Sequence, residues 1–239
     1  MSEQSASEAV RYEWRNRIHA EYTSAAITQH LTLWLIQMGA SPDLIDDGLR
    51  IVTDELVHAQ MSAEVYAEAG GTEPPQIERE SLQLPRHPEQ LLEMDITRAG
   101  VQMFCLGETV AVPLFSHLRQ GCTVPVARDA LDRILKDEVR HRDFGWQLLD
   151  ALLDTPVADE LRQLIDVELP QMMASLQQSY GDAVDDGAEA IEDISDADRL
   201  WGLAPASEYA EILSRTIERD YIPRFNERSI DLVRLLGRG

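Results

Sequence analysis

The sequence predicts an all-α protein, a four-helix bundle with one long crossover and additional C-terminal helices. Three observations support this fold class. Apolar residues recur at helical spacing along six segments. No segment alternates apolar and polar residues in a way that indicates a sheet. The pattern Asp-Glu-x-x-His occurs twice in helical stretches, at Asp54–His58 and Asp137–His141, and paired Glu-x-x-His motifs are typical of bundles that hold two metal ions.

The first two helices are predicted over residues 12–37 and 43–69. Gly39 is suited to cap the end of the first helix, and Pro42 is suited to begin the second. The stretch GTEPPQIERESLQLPRHPE that follows is rich in proline and charge and has no sustained period. We therefore expect it to be the long crossover that two parallel helices would need.

The third helix is predicted over residues 88–119, with a kink or a break at Pro113. The segment Gly121–Pro125 reads as a turn, and residues 125–153 as the fourth helix. Residues 12–153 would then form the complete bundle.

The remainder is predicted to be a helical extension, residues 154–239. Helical apolar spacing covers 157–180 and 206–236, and the segment 181–199 between them is acidic and poor in large apolar residues, as expected of a solvated loop. The whole chain, residues 1–239, is expected to be a single domain. Kinks are expected at two prolines inside the extension, Pro170 and Pro223.

The composition narrows the classes of partner and location. A formal charge of −22 argues against nucleic acids and anionic membranes. The only cysteines are Cys105 and Cys122, with no C-x-x-C motif, so a disulfide framework is not expected and a reducing cytoplasm is the default location. The polar N-terminus does not resemble a signal peptide, and no apolar run approaches the ~18 residues of a membrane span.

The motifs themselves nominate metal ligands. In each copy the Glu and the His stand three residues apart, on one face of a helix. Glu108 is the only acidic residue between Asp95 and Asp129, in an apolar stretch where an unpaired carboxylate would be costly. Glu21 is the only acidic residue of the first helix after Glu13. The predicted ligand set is Glu21, Glu55, His58, Glu108, Glu138 and His141.

This ligand set indicates two divalent ions, with iron as the first expectation and manganese as the second. The four carboxylates carry a formal charge of −4, which balances two M(II) ions, whereas a structural zinc site would use fewer ligands and usually thiolates. The aspartate before each glutamate is a candidate to orient a ligating histidine. We expect Asp137 to reach His58 and Asp54 to reach His141.

With these motifs, residues 12–153 resemble the ferritin-like di-iron carboxylate superfamily. The aspartate before each glutamate and the pair Arg140-His141 resemble its O2-activating members more than the storage ferritins. The sequence departs from particular subgroups at three positions, with Val57 in place of an Arg, Val112 where some monooxygenases have a Thr, and Ile134 where certain N-oxygenases have a third His.

The resemblance implies an O2-activating oxidase or oxygenase that acts on a small organic substrate. One alternative is a ferroxidase or peroxide-handling protein, and another is a metal-binding bundle without turnover. No nicotinamide or flavin motif is present, so an external electron donor is expected, and a homodimer is compatible with the sequence. Apolar residues that could shield the centre, or simply pack the core, are Val101, Cys105, Val112, Leu131 and Ile134.

Overall fold

Every regular element that the computed structural model describes, within residues 6–181 and 194–237, is helical. The all-α prediction is therefore confirmed for these residues, while their arrangement as a four-helix bundle stays a prediction. A 3₁₀ helix (Arg79–Leu82) lies in the predicted crossover, and π-helices span Gly100–Glu108 and Ile217–Tyr221. The α-helices are α1 (Glu8–Met38), α2 (Pro42–Glu68), α3 (Leu92–Ala99), α4 (Thr109–Gly121), α5 (Pro125–Leu153), α6 (Ala158–Gly181), α7 (Asp196–Arg199), α8 (Ala206–Thr216), α9 (Ile222–Glu227) and α10 (Leu232–Leu235).

The described residues fall into two compact units, each built from three stretches of chain. The first unit takes its residues from Met1–Leu84, Phe115–Asp137 and Ile191–Pro205, and the second from Pro85–Leu114, Glu138–Ala190 and Ala206–Gly239.

Helices α1 and α2 form a hairpin in the first unit. The Ser7 hydroxyl accepts a hydrogen bond from the backbone N–H of Val10 at 3.1 Å and so caps the start of α1. At the other end, Gly39 takes the left-handed conformation (φ 76°) that a side chain would oppose. Pro42 occupies the first turn of α2 behind the capping residue Ser41. These signals are local, so the sequence located both helices, although α1 begins at Glu8 rather than at the predicted residue 12.

The register of this hairpin brings Glu21 to the level of His58 rather than to that of Glu55. Glu21 and His58 are in contact, and the Ser24 hydroxyl donates to Glu55. Both pairs are centred on residues 39–40, inside the connecting turn. The carboxyl group of Glu21 therefore lies one helical turn further along α2 than Glu55 does.

In the second unit, the first π-helix packs against the C-terminal half of α5. The rings of Phe104 and Phe144 meet edge to face, with centroids 5.0 Å apart. The Cys105 thiol donates to the carbonyl of Gly145 at 3.3 Å. Burial raises the pKa of this thiol far above its usual range, so Cys105 behaves as a small core residue.

The C-terminal helices of the second unit pack on this core. The Tyr221 hydroxyl donates to the carbonyl oxygen of Leu106 at 2.5 Å, inside the first π-helix. Trp146 on α5 meets Phe225 on α9 edge to face at 5.0 Å. The C-terminal extension therefore contributes buried residues to the core of this unit.

The third predicted helix needs correction. It begins at Leu92 rather than at residue 88, and its middle, Gly100–Glu108, is π-helical. Pro113 does not end the helix, since α4 continues to Gly121. A π-helix adds residues to each turn without changing composition, so apolar spacing alone did not reveal it.

The C-terminal prediction also needs correction. The helix predicted over 206–236 ends at Glu227, because Ser229 adopts a positive φ of 61° that breaks helical geometry. Pro170 lies within α6, which continues to Gly181. Of the predicted acidic loop 181–199, residues 182–193 lie outside the described residues, and Asp196–Arg199 forms the short helix α7 rather than loop.

One stretch within the described residues, Leu92–Gly121, is long and apolar enough to cross a membrane by length and composition. Half of its most apolar window is buried inside the protein. Core helices of soluble proteins pass the same test, so the stretch is weak evidence for a membrane span.

Candidate metal centre

The hairpin of α1 and α2 brings three of the predicted ligands together. Glu21, Glu55 and His58 are all buried, and each offers a ligand atom within 4.8 Å of the others. His58 Nδ1 lies 3.6 Å from Glu21 Oε2 and 3.6 Å from Glu55 Oε2. The i, i+3 spacing puts Glu55 and His58 on one face of α2, and the hairpin register adds Glu21. We call these three residues the first triad.

The pKa values of Glu21 and His58 in the first triad are shifted because both groups are buried and close to other ionisable groups. Burial raises the pKa of Glu21 to about 8, and the nearby carboxylate of Glu55 adds to this increase. Burial alone would lower the pKa of His58, but hydrogen bonding to Glu21 and Glu55 outweighs it and raises that pKa to about 10. Both shifts favour protonated groups, so protons would compete with a metal ion for these donor atoms.

The other nitrogen of His58 is held by a carboxylate. His58 Nε2 lies 3.2 Å from Asp137 Oδ2 on α5. Burial would raise the pKa of Asp137, but hydrogen bonds from Arg133 and His58 keep it below its usual range. Because Asp137 is thus ionised, it accepts a hydrogen bond from Nε2–H and leaves Nδ1 directed at Glu21 and Glu55.

Two further residues, which were not among the predicted site residues, support this arrangement. Arg133 donates to Asp137 one turn along α5, and its second guanidinium nitrogen lies 3.2 Å from Asp54 Oδ1. Ser24 Oγ donates to Glu55 Oε1 at 3.0 Å. The i, i+4 spacing of Arg133 and Asp137 was a usable signal, whereas Ser24 becomes apparent only once the hairpin register is known.

The other three predicted ligands lie in the second unit. His141 Nδ1 lies 3.7 Å from Glu138 Oε2, and Glu108 and His141 offer ligand atoms within 4.8 Å of each other. Glu138 and His141 are buried, but Glu108 is only half-buried, less than its apolar surroundings suggested. We call Glu108, Glu138 and His141 the second triad.

A tyrosine outside the predicted bundle lies near the second triad. Burial raises the pKa of the Tyr180 phenol far above its usual range, and electrostatic interactions with Tyr209, Glu108 and Glu138 add to the effect. The rings of Tyr180 and Tyr209 are 6.3 Å apart. Tyr180 is 72 residues from Glu108 and follows no motif, so no sequence signal could have identified it.

The donor atoms of the first triad, and the pair Glu138 and His141 of the second, are spaced as expected around a divalent ion. Ligand atoms at ~2.1 Å from a metal and separated by angles of ~90–120° are about 3.0–3.6 Å apart. The separations of 3.6 Å in the first triad and 3.7 Å in the second are close to that range. Buried carboxylates without a cation would be costly, and two carboxylates with one imidazole neutralise one M(II) ion.

No family model, no curated protein and no solved structure matches this chain. The fold and the site therefore define a class only: an all-helical protein with a buried group of carboxylates and histidine that could hold a metal ion.

Proposed function

We propose that this protein is a di-iron, O2-activating oxidase or oxygenase that acts on a small organic substrate. The observation that carries the proposal is the first triad, in which two buried carboxylates face the Nδ1 of a histidine whose Nε2 is held by Asp137. The repeat of Asp-Glu-x-x-His and the second triad support a second ion of the same kind. Manganese fits the same donors.

The residues of the chain have separate roles in this proposal. Glu21, Glu55, His58, Glu108, Glu138 and His141 would hold two ions, which when ferrous supply electrons to O2. Asp137 fixes the ring orientation and tautomer of His58 and makes Nδ1 a better donor. Ser24 restrains one oxygen of Glu55, so that its other oxygen remains directed at His58. The burial of the first triad excludes bulk water and strengthens these interactions.

The test begins with metal content and O2 uptake. The full-length protein is loaded anaerobically with Fe(II), and bound iron is counted before O2 is added. We expect about two ions per chain and O2 consumption that accelerates when the correct small metabolite is present. Fewer than one ion per chain would refute both the metal site and the enzyme. Rapid O2 consumption without any organic substrate, together with mineral formation, would instead support iron handling.

A matched pair of variants makes the test specific. Glu55→Gln removes a charged donor of the first triad, whereas Glu64→Gln makes the same change at an exposed position on α2. We expect Glu55→Gln to lose at least one iron ion per chain and the O2 reaction, and Glu64→Gln to retain both. Equal iron content in the two variants would show that Glu55 does not bind metal.

A further inference from the structure

A second candidate site lies at the far end of the hairpin, where α1 begins and α2 ends. An open pocket of about 230 Å³ is formed there by the first two turns of α1 and by the turn that follows α2. The pocket is separate from the first triad. Its residue nearest to the triad along the chain is Arg15, which precedes Glu21 by six residues, or ~9 Å of helix. The lining residues used below are Arg11, Tyr12, Arg15, Tyr66, Gly71 and Glu73.

The pocket carries both signs of charge, and the charged groups do not neutralise one another. Two arginines, Arg11 and Arg15, stand one helical turn apart on α1, and two glutamates, Glu8 and Glu73, share the pocket with them. Among residues 6–181 and 194–237, none of the four takes part in an ion pair. Arg11 donates only to a backbone carbonyl, that of Ala6 at 2.5 Å. Both cations and both anions therefore remain available to a ligand.

Two tyrosines provide flat walls beside these charges. Tyr12 is 38% exposed, so part of its ring is open to solvent at the pocket. The Tyr66 ring lies directly over Gly71, where an added Cβ would meet the ring at 2.2 Å. The ring therefore occupies its position because residue 71 has no side chain.

We propose that this pocket binds a small zwitterion of the amino-acid type. A carboxylate would be held by Arg11 and Arg15, an ammonium group by Glu8 and Glu73, and an apolar side chain by the tyrosine rings. The pocket is smaller than the ~300–1,000 Å³ of typical drug-sized sites, so the ligand is a single amino acid rather than a peptide. The inference does not depend on metal binding or on O2 chemistry.

The test is an NMR titration of the full-length ¹⁵N-labelled protein with glycine, L-leucine and L-phenylalanine. We expect saturable shifts of the Gly70 and Gly71 amides with at least one of them below 20 mM. Two probes carry only one of the charges, 3-phenylpropanoate and 2-phenylethylamine, and should bind at least tenfold more weakly than L-phenylalanine. No saturable shift with any amino acid would overturn the proposal, and equal binding of 3-phenylpropanoate would show a plain anion site.

Variants distinguish binding in the pocket from a general effect of surface charge. Arg15→Gln and Glu73→Gln should each weaken amino-acid binding ~10- to 100-fold, since each removes a charged partner. Arg50→Gln, at an exposed arginine on α2, is the control and should bind as the wild type does. Gly71→Ala provides a second route, because it displaces the Tyr66 ring without changing charge and should also weaken binding. Unchanged affinity in Arg15→Gln would refute the assignment.

Discussion

Metal binding at the first triad is expected to release close to two protons at pH 7. A metal ion binds a neutral imidazole and an ionised carboxylate. In the metal-free protein, burial raises the pKa of Glu21 to about 8, and hydrogen bonding to Glu21 and Glu55 raises that of His58 to about 10 against the opposing effect of burial. Both groups therefore carry a proton at pH 7, and both must lose it when the metal binds.

These two pKa values determine the sign and the size of the pH dependence of metal affinity. Both pKa values are raised, so protons compete with the metal at every pH below those values. The affinity of the first triad for the metal therefore rises with pH. Between about pH 6 and pH 7 both protons are displaced, so the affinity should rise ~100-fold per pH unit. Above about pH 8, only His58 still holds its proton, and the rise should fall to ~10-fold per unit.

The assay is competition with a chelator of known protonation, with Zn(II) as the probe metal. The His141→Ala variant isolates the first triad by weakening the second. Titration calorimetry in two buffers of different ionisation enthalpy counts the released protons directly. In Glu21→Gln the count at pH 7 should fall by at least one, since glutamine carries no exchangeable acid proton. A pH-independent affinity between pH 6 and pH 7 would refute the proposed electrostatics of the triad.

Three further predictions concern individual contacts. Asp137→Asn should weaken metal binding at the first triad ~10- to 100-fold, with the exposed Asp132→Asn as control, and equal affinities in a chelator competition would contradict it. Gly145→Ala should destabilise the protein by about 1–3 kcal/mol in urea unfolding, because the new Cβ would lie 2.5 Å from Phe104 on the facing π-helix. An unchanged unfolding midpoint would show that the π-helix can shift without cost. Tyr221→Phe should cost about 0.5–1.5 kcal/mol in the same assay, because the carbonyl of Leu106 loses the hydroxyl donor and keeps only the backbone N–H of Thr109. An unchanged unfolding midpoint would show that this hydrogen bond does not stabilise the protein.

The sequence predicted well those features that depend on neighbours along the chain. The hairpin of α1 and α2 was found because Gly39 and Pro42 mark its turn. Glu55 and His58 lie close together because they are three residues apart on one helix. Glu21 was predicted because it is the only acidic residue of the first helix after Glu13. The structure places it opposite His58.

The sequence could not predict features that depend on helix type or on distant segments. The π-helix over Gly100–Glu108 changes which residues share a face. Of the two roles considered for Cys105, shielding the centre or packing the core, its buried contact with Gly145 supports core packing. Glu108 was expected to be buried because its neighbours along the chain are apolar, but it is half-buried. Tyr180 approaches the second triad from α6, a helix that no motif connects with the ligands.

The motif is informative because it contains five residues rather than four. Glu-x-x-His alone supplies two ligands but leaves the second nitrogen of the histidine without an assigned partner. Asp137 stands immediately before a ligand candidate of its own helix, yet its carboxylate lies 3.2 Å from His58 on another helix. The leading aspartate of the second copy thus holds the histidine of the first copy, so the first copy has this contact only when the second is present. This dependence gives a physical reason why the repeat, rather than either motif alone, predicts a metal site.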